Sequence, residues 1–228
     1  MNGAIFFYST NGDGSIEWIG SVMIWVLLAL SLANVILIAI AASANRRRDM
    51  LPEAEARELR ELLAGGRYQE AIQRARRGES DLALVVTRAL DHAPDGTEAM
   101  MRASEQAADE LLTARLRKLE PLNILGQVAP MIGLFGTVYG MIVAFQTVAS
   151  SGGAADPVLL AGGIGTALVT TFWGLLIAIP ALSAYAVVRN GTIAVSDESL
   201  AAVDEMVSLF RPKSTASPAA DAPSVAAH

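Results

Sequence analysis

The 228-residue chain has no cysteine and two histidines. Absence of thiols excludes disulfides, thiolate catalysis and Cys-type metal sites. His92 stands beside a turn and His228 at the end of the sequence, positions that suit surface residues better than ligands. Charge is missing over a much longer stretch. Between Glu120 and Arg189 the single Asp, Glu, Lys, Arg or His is Asp156, and it lies in a Gly/Ala/Ser segment that separates two apolar runs. Those runs, Pro121 to Val148 and Val158 to Val188, are each longer than the roughly 20 residues needed to cross a bilayer, as is Trp18 to Asn45. The sequence therefore predicts an all-α polytopic membrane protein with three transmembrane helices. It predicts no cofactor and no metal site.

What is present is strongly partitioned. The chain is 53% hydrophobic and 18% charged, so the charges must crowd into the remaining segments. Fourteen of the seventeen Lys and Arg residues fall between Arg46 and Lys118, and Arg189, Arg211 and Lys213 follow the last run. Cations near span ends stay on the cytoplasmic side. The expected topology is thus an N-terminus outside (1–17), span 1 (18–45), a cytoplasmic helical domain (46–120), span 2 (121–148) and an outer loop (149–157). Span 3 (158–188), a cytoplasmic helix (189–211) and a cytoplasmic tail (212–228) follow. Arg46, Arg47 and Arg48 after span 1 act as a stop signal and as anchors for membrane lipids. A cleaved signal peptide would carry its basic flank before the apolar core, and here it comes after. A net charge of −6, with acids interleaved among the bases, gives no nucleic-acid footprint.

The segment between spans 1 and 2 reads as helical, with breaks at Gly and Pro. Pro52 begins a helix with a Leu59, Leu62, Leu63 stripe that Gly65-Gly66 ends. Tyr68, Ala71, Ile72 and Ala75 share the face of a second helix closed by Gly78. Ser80 caps a third with the stripe Leu82, Val85, Val86, Leu90. After the turn Ala93-Pro94-Asp95-Gly96, no breaker appears from Thr97 to Pro121, and Ala103, Ala107, Leu111, Ala114 and Lys118 trace one face. This predicts a stalk that runs into span 2, extending it roughly 36 Å into the cytoplasm at 1.5 Å per residue. The charges here read as solvated faces and i,i+4 pairs. The Ala/Pro/Ser-rich tail from Pro212 offers too little apolar surface to fold.

Spans 2 and 3 carry small residues at helical spacing. Gly133, Thr137, Gly140 and Ala144 recur in one, Ala167, Thr171, Gly174 and Ala178 in the other, and Gly136-xxx-Gly140 is a packing seam of the kind that lets helices approach closely in lipid. Thr166, Thr170 and Thr171 crowd one stretch of span 3, with Thr137 at comparable depth in span 2. These hydroxyls form a polar ring or simply bond their own helices. Pro130 and Pro180 each remove a ladder donor within a span. An enzyme working in the membrane would need a nucleophile and base or paired acids at that depth, and the spans supply no His, Asp, Glu, Lys or Cys. A non-conducting scaffold would use the same seams.

Val128 to Phe145 (VAPMIGLFGTVYGMIVAF) resembles the second span of the MotA/TolQ/ExbB proton-channel family. Gly162 to Ala181, with Ala167-Leu168, Thr170-Thr171, Gly174-Leu175 and Ala178-Ile-Pro-Ala181, resembles its third. The three-span length is similar to the ExbB/TolQ branch. The resemblance implies a homo-oligomer, a pentamer, around a dimer of ExbD/TolR-like single-span partners whose membrane aspartate carries the proton. It puts Thr137 and Thr171 at the pore-lining positions, with Thr170 and Thr166 beside them. Thr166 stands where TonB- and Tol-associated members usually carry a glutamate, which removes a possible second proton site.

Overall fold

The computed structural model describes residues 9–10, 16–152 and 157–210. The expected disordered tail and the loop carrying Asp156 lie outside these residues. Elements follow in chain order: two-residue strands β1 (Ser9–Thr10) and β2 (Ile16–Glu17), paired antiparallel, then helices α1 (Trp18–Ala44), α2 (Arg47–Met50), α3 (Glu53–Ala64), α4 (Tyr68–Arg77), α5 (Asp81–Asp91), α6 (Thr97–Ser150) and α7 (Pro157–Ser208). A 3-10 turn, Ala93–Asp95, joins α5 to α6. α1, α6 and α7 each contain a stretch long and apolar enough to cross a membrane. The all-α class with three spans holds, and the small ladder at the start is an addition to it.

The helix boundaries follow from the local chemistry. Pro52 precedes α3, whose end is marked by Gly65 and by Gly66 at φ 70°. The Ser80 hydroxyl accepts from the Ala83 N–H and caps α5. Gly96 at φ 95° opens α6, a backbone conformation that favours glycine. Pro121 and Pro130 lie inside α6, and Pro180 lies inside α7, without ending either helix. The third span and the helix after it are one unbroken 52-residue element.

Two regions bury side chains. Away from the apolar spans, α3, α4 and α5 pack against the first turns of α6 and the last turns of α7, forming a lobe around Leu59, Leu63, Leu82, Val86, Met100, Val203 and Met206. The expected stripes on α3 and α5 all point inward. On α6 the buried face coincides with the expected one only in part. Met100, Ser104, Ala107, Ala108 and Leu119 are buried, whereas Ala114 and Lys118 are exposed. Of the expected row, Ala107 is buried and Leu111 packs against the lobe core, so the row holds in its middle and fails at Ala114 and Lys118. Tyr68 stays exposed but tilts its ring onto Phe210, with centroids 5.0 Å apart.

The charges are expected on solvated faces and in i,i+4 pairs, and the ion pairs add contacts between helices to that expectation. Arg102 to Glu98 is an i,i+4 pair. Most described pairs join different helices: Arg47 to Glu198, Arg60 to Glu205, Arg74 to Glu55 and Glu58, Arg76 to Asp91, and Arg115 to Asp81. Arg115 also donates from Nη1 to the carbonyl of Ala44 at 2.6 Å, so it ties the last turn of α1 to α5 and α6.

Candidate functional site: the threonine-lined seam of two spans

α6 and α7 run side by side through their apolar parts, and small residues let their backbones touch. A Cβ built at Gly140 would lie 2.7 Å from the Gly163 carbonyl oxygen and 2.9 Å from the Ala167 Cβ. One built at Gly174 would lie 2.8 Å from the Ala129 carbonyl, and one at Gly133 would lie 3.0 Å from that of Thr170. At Gly136 it would collide with the Thr170 hydroxyl. Gly133, Gly136, Gly140, Ala167, Gly174 and Ala178 are all buried, and the first five of these residues named from sequence meet across the α6–α7 interface. Gly126, Ala129, Ala144, Gly163 and Ala181 extend it.

The threonines divide by position. Thr170 is fully buried within the seam, its hydroxyl 2.9 Å from its own helix's Ala167 carbonyl and 3.4 Å from that of Gly133 across the interface. Thr171 is half-buried and donates across to the Gly133 carbonyl at 3.2 Å. Thr166, 7% exposed, donates to Gly162 one turn back at 3.1 Å. Thr137 sits outside the seam. It is half-exposed, donates to the Leu134 carbonyl at 2.7 Å, and opens onto an apolar surface groove lined by Val138, Met141, Ile142, Phe145 and Gln146. Thr170 and Thr171 thus reach the α6 contact, Thr166 is buried one turn earlier on α7, and Thr137 lies outside the seam on α6.

Among the described residues, α1, the apolar part of α6 and that of α7 carry no Asp, Glu, Lys, Arg or His, and no group of three or more metal-ligating side chains exists. The site can donate and accept hydrogen bonds through hydroxyls and backbone carbonyls. It holds no group of its own that exchanges a proton near neutral pH.

Sequence reasoning missed Asn34. It is buried in α1 and donates from Nδ2 to the Ile177 carbonyl of α7 at 3.1 Å. The signal was available, since Asn34 is the one amide side chain in the interior of the first apolar run.

The model of the MotA/TolQ/ExbB proton channel family matches residues 69–198, from α4 through the lobe and both spans of the seam. The biopolymer transport protein exbB1 of Vibrio cholerae is 46% identical over 65 residues, 28% of this chain and 28% of that protein. The Tol-Pal system protein TolQ of Haemophilus influenzae is 38% identical over 96 residues, 40% of this chain and 42% of TolQ. A putative biopolymer transport protein ExbB homolog of Methanothermobacter thermautotrophicus is 29% identical over 130 residues, 57% of this chain and 46% of that protein. The chain spans between 28% and 46% of the length of these three relatives. With a family match covering more than half the sequence and taking in both helices of the seam, the chain belongs to the MotA/TolQ/ExbB proton channel family.

Proposed function

We propose that this chain is the channel-forming subunit of a membrane motor that couples proton flow to mechanical work, with an ExbD/TolR-like single-span partner supplying the membrane aspartate. The observation that carries this reading is a seam with hydroxyls and no carboxylate, in a chain that belongs to a proton channel family. A carboxylic acid alone in hydrocarbon stays protonated because desolvation disfavours its charged form. Hydroxyls and water around it lower that penalty and let it release and regain a proton. Movement of one charge through 100 mV yields about 2.3 kcal/mol, which can bias a conformational step.

In this reading five copies surround a partner dimer, with the N-terminus outside a bacterial inner membrane and the lobe in the cytoplasm. The cation distribution supports that orientation. Thr137 and Thr171 solvate the partner's carboxylate. Thr170 and Thr166 shape the seam behind them, which agrees with their burial. The chain works as a transport subunit and not as an enzyme.

The own-helix hydrogen bonds of Thr137 and Thr166 favour a second reading, a non-conducting scaffold, because hydroxyls spent on backbone carbonyls need no substrate. Proton flux into liposomes separates the two. The motor reading expects little flux from this chain alone and strong flux with the aspartate-bearing partner. Strong flux from the chain alone defeats the supplied-carboxylate mechanism, and a tight complex defeats conduction. Thr137→Val and Thr171→Val keep side-chain volume and remove one hydrogen bond to a charged group, worth about 1.5–3 kcal/mol. Each is expected to assemble normally and slow flux about tenfold to a hundredfold. If both variants conduct at the original rate while Thr166→Val or Thr170→Val does not, the roles are reversed.

A further inference from the structure

Asn34 is 3% exposed and lies in the same part of α1 as Leu27, Leu30 and Leu37, which pack with Ile177. Its Nδ2 is 3.1 Å from the Ile177 carbonyl oxygen. A carbonyl only accepts, so this contact determines which end of the amide faces α7. The other end, Oδ1, is buried and meets no donor among the described residues. The neighbouring backbone supplies little help, because Pro180 takes away the N–H that would serve the Leu176 carbonyl. The amide thus has an unused acceptor beside a backbone segment short of donors.

A leucine at this position would suit an apolar span better. What leucine cannot do is select one carbonyl. The α1 surface around Asn34 repeats leucines, which fit several registers almost equally well. Slipping by one turn, about 5.4 Å, would strand the amide in apolar surroundings. A buried polar contact between helices in lipid penalises such a slip. α1 also lacks the run of backbone-touching glycines that keys α6 to α7.

We propose that Asn34 pins the register of the first span on the third, and that its Oδ1 holds a resident water at the α1–α7 interface. This uses neither conduction nor a partner and stands apart from the function proposed above. The absence of native cysteine makes it testable without background. Ala41 and Ala181 lie in one buried cluster, so Ala41→Cys with Ala181→Cys in the full-length protein in membranes should form a disulfide under mild oxidation. Adding Asn34→Leu is expected to lower that yield about threefold to tenfold and to raise cross-linking between Ile38→Cys and Ala181→Cys. Unchanged yields overturn the pin. A cryo-EM map of the unsubstituted protein in nanodiscs, at a resolution that shows ordered waters, needs no variant. Density at about 2.7–3.2 Å from Asn34 Oδ1 is expected, and a dry Oδ1 in such a map overturns the water.

Discussion

The seam and the lobe are built partly from the same two helices, yet they hold together by different means. In the lobe, leucines, valines and methionines fill the space between α3, α4, α5 and the ends of α6 and α7, and arginines cross from helix to helix. In the seam the side chains are nearly absent and backbone meets backbone. Water explains the difference. Where water surrounds a helix, burying large apolar groups drives association. Where lipid surrounds it, leucine gains little by leaving one apolar medium for another, and close contact of small residues takes over. The two regions should therefore respond in opposite ways to added and removed volume.

Added volume should do the greatest damage in the seam. Gly140→Leu would drive a side chain into the Gly163 backbone, which has no rotamer with which to yield, so folded protein should be lost from detergent extracts. Gly140→Ala, with contacts of 2.7 and 2.9 Å, should cost about 1–3 kcal/mol and lower the melting temperature. Gly191→Ala, on the same α7 but with nothing within 4 Å, should be neutral or slightly stabilising. If the two alanine variants melt together, close backbone contact is not what keys the helices.

Removed volume should matter more in the lobe. Leu59→Ala and Leu82→Ala each empty a fully buried position and should cost about 2–5 kcal/mol. Limited proteolysis should then cut the 53–95 region faster and leave α6–α7 contacts intact. An effect that spreads equally to the seam would show that the two regions fold as one unit.

A smaller effect is expected at the buried acid of the lobe. Glu55 accepts from Arg74 at 2.7 Å and from the Ser80 hydroxyl at 2.5 Å, so it holds the cap of α5 as well as α4. Arg74→Met should cost about 1–3 kcal/mol by leaving that carboxylate under-paired. Adding Glu55→Gln should recover part of the loss, a coupling that a double-mutant cycle measures.

The mildest expectation concerns acid. Arg47 donates two hydrogen bonds of 2.7 Å to Glu198, and the paired guanidinium holds that carboxyl below the usual range. A group whose folded pKa is depressed stabilises above its unfolded pKa, about 4.3 for glutamate, and the contribution fades as pH falls through the folded value. Hydrogen exchange in residues 47–50 should therefore speed up below about pH 4.3, corrected for intrinsic rates. Glu198→Gln should remove that dependence.

Much of this architecture could be read from the residues. Long uncharged runs gave the three spans, and Gly, Pro and Ser positions gave the ends of α3, α4 and α5, because these signals are local. Gly133, Gly136, Gly140 and Gly174 announced the seam because their spacing is regular. The rest depends on distant partners. Which α6 face is buried depends on α5 and α7, so the expected row held at Ala107 and Leu111 and failed at Ala114 and Lys118. Whether a threonine reaches across or back depends on a carbonyl more than thirty residues away, as at Thr171 and Gly133. Asn34 was visible as a polar exception, but its meaning required Ile177.

The continuity of α6 and α7 has a mechanical consequence. At 1.5 Å per residue each is a rod of roughly 80 Å, and neither is broken where its apolar stretch gives way to the lobe. An α-helix resists twisting because backbone hydrogen bonds tie its turns together, and Pro121, Pro130 and Pro180 each remove one such bond while leaving the helices continuous. A change in angle imposed on the α6–α7 pair at the level of Thr171 would therefore arrive at Met100 and Val203 as a change in angle. Under the function proposed above, the lobe is the far end of a shaft.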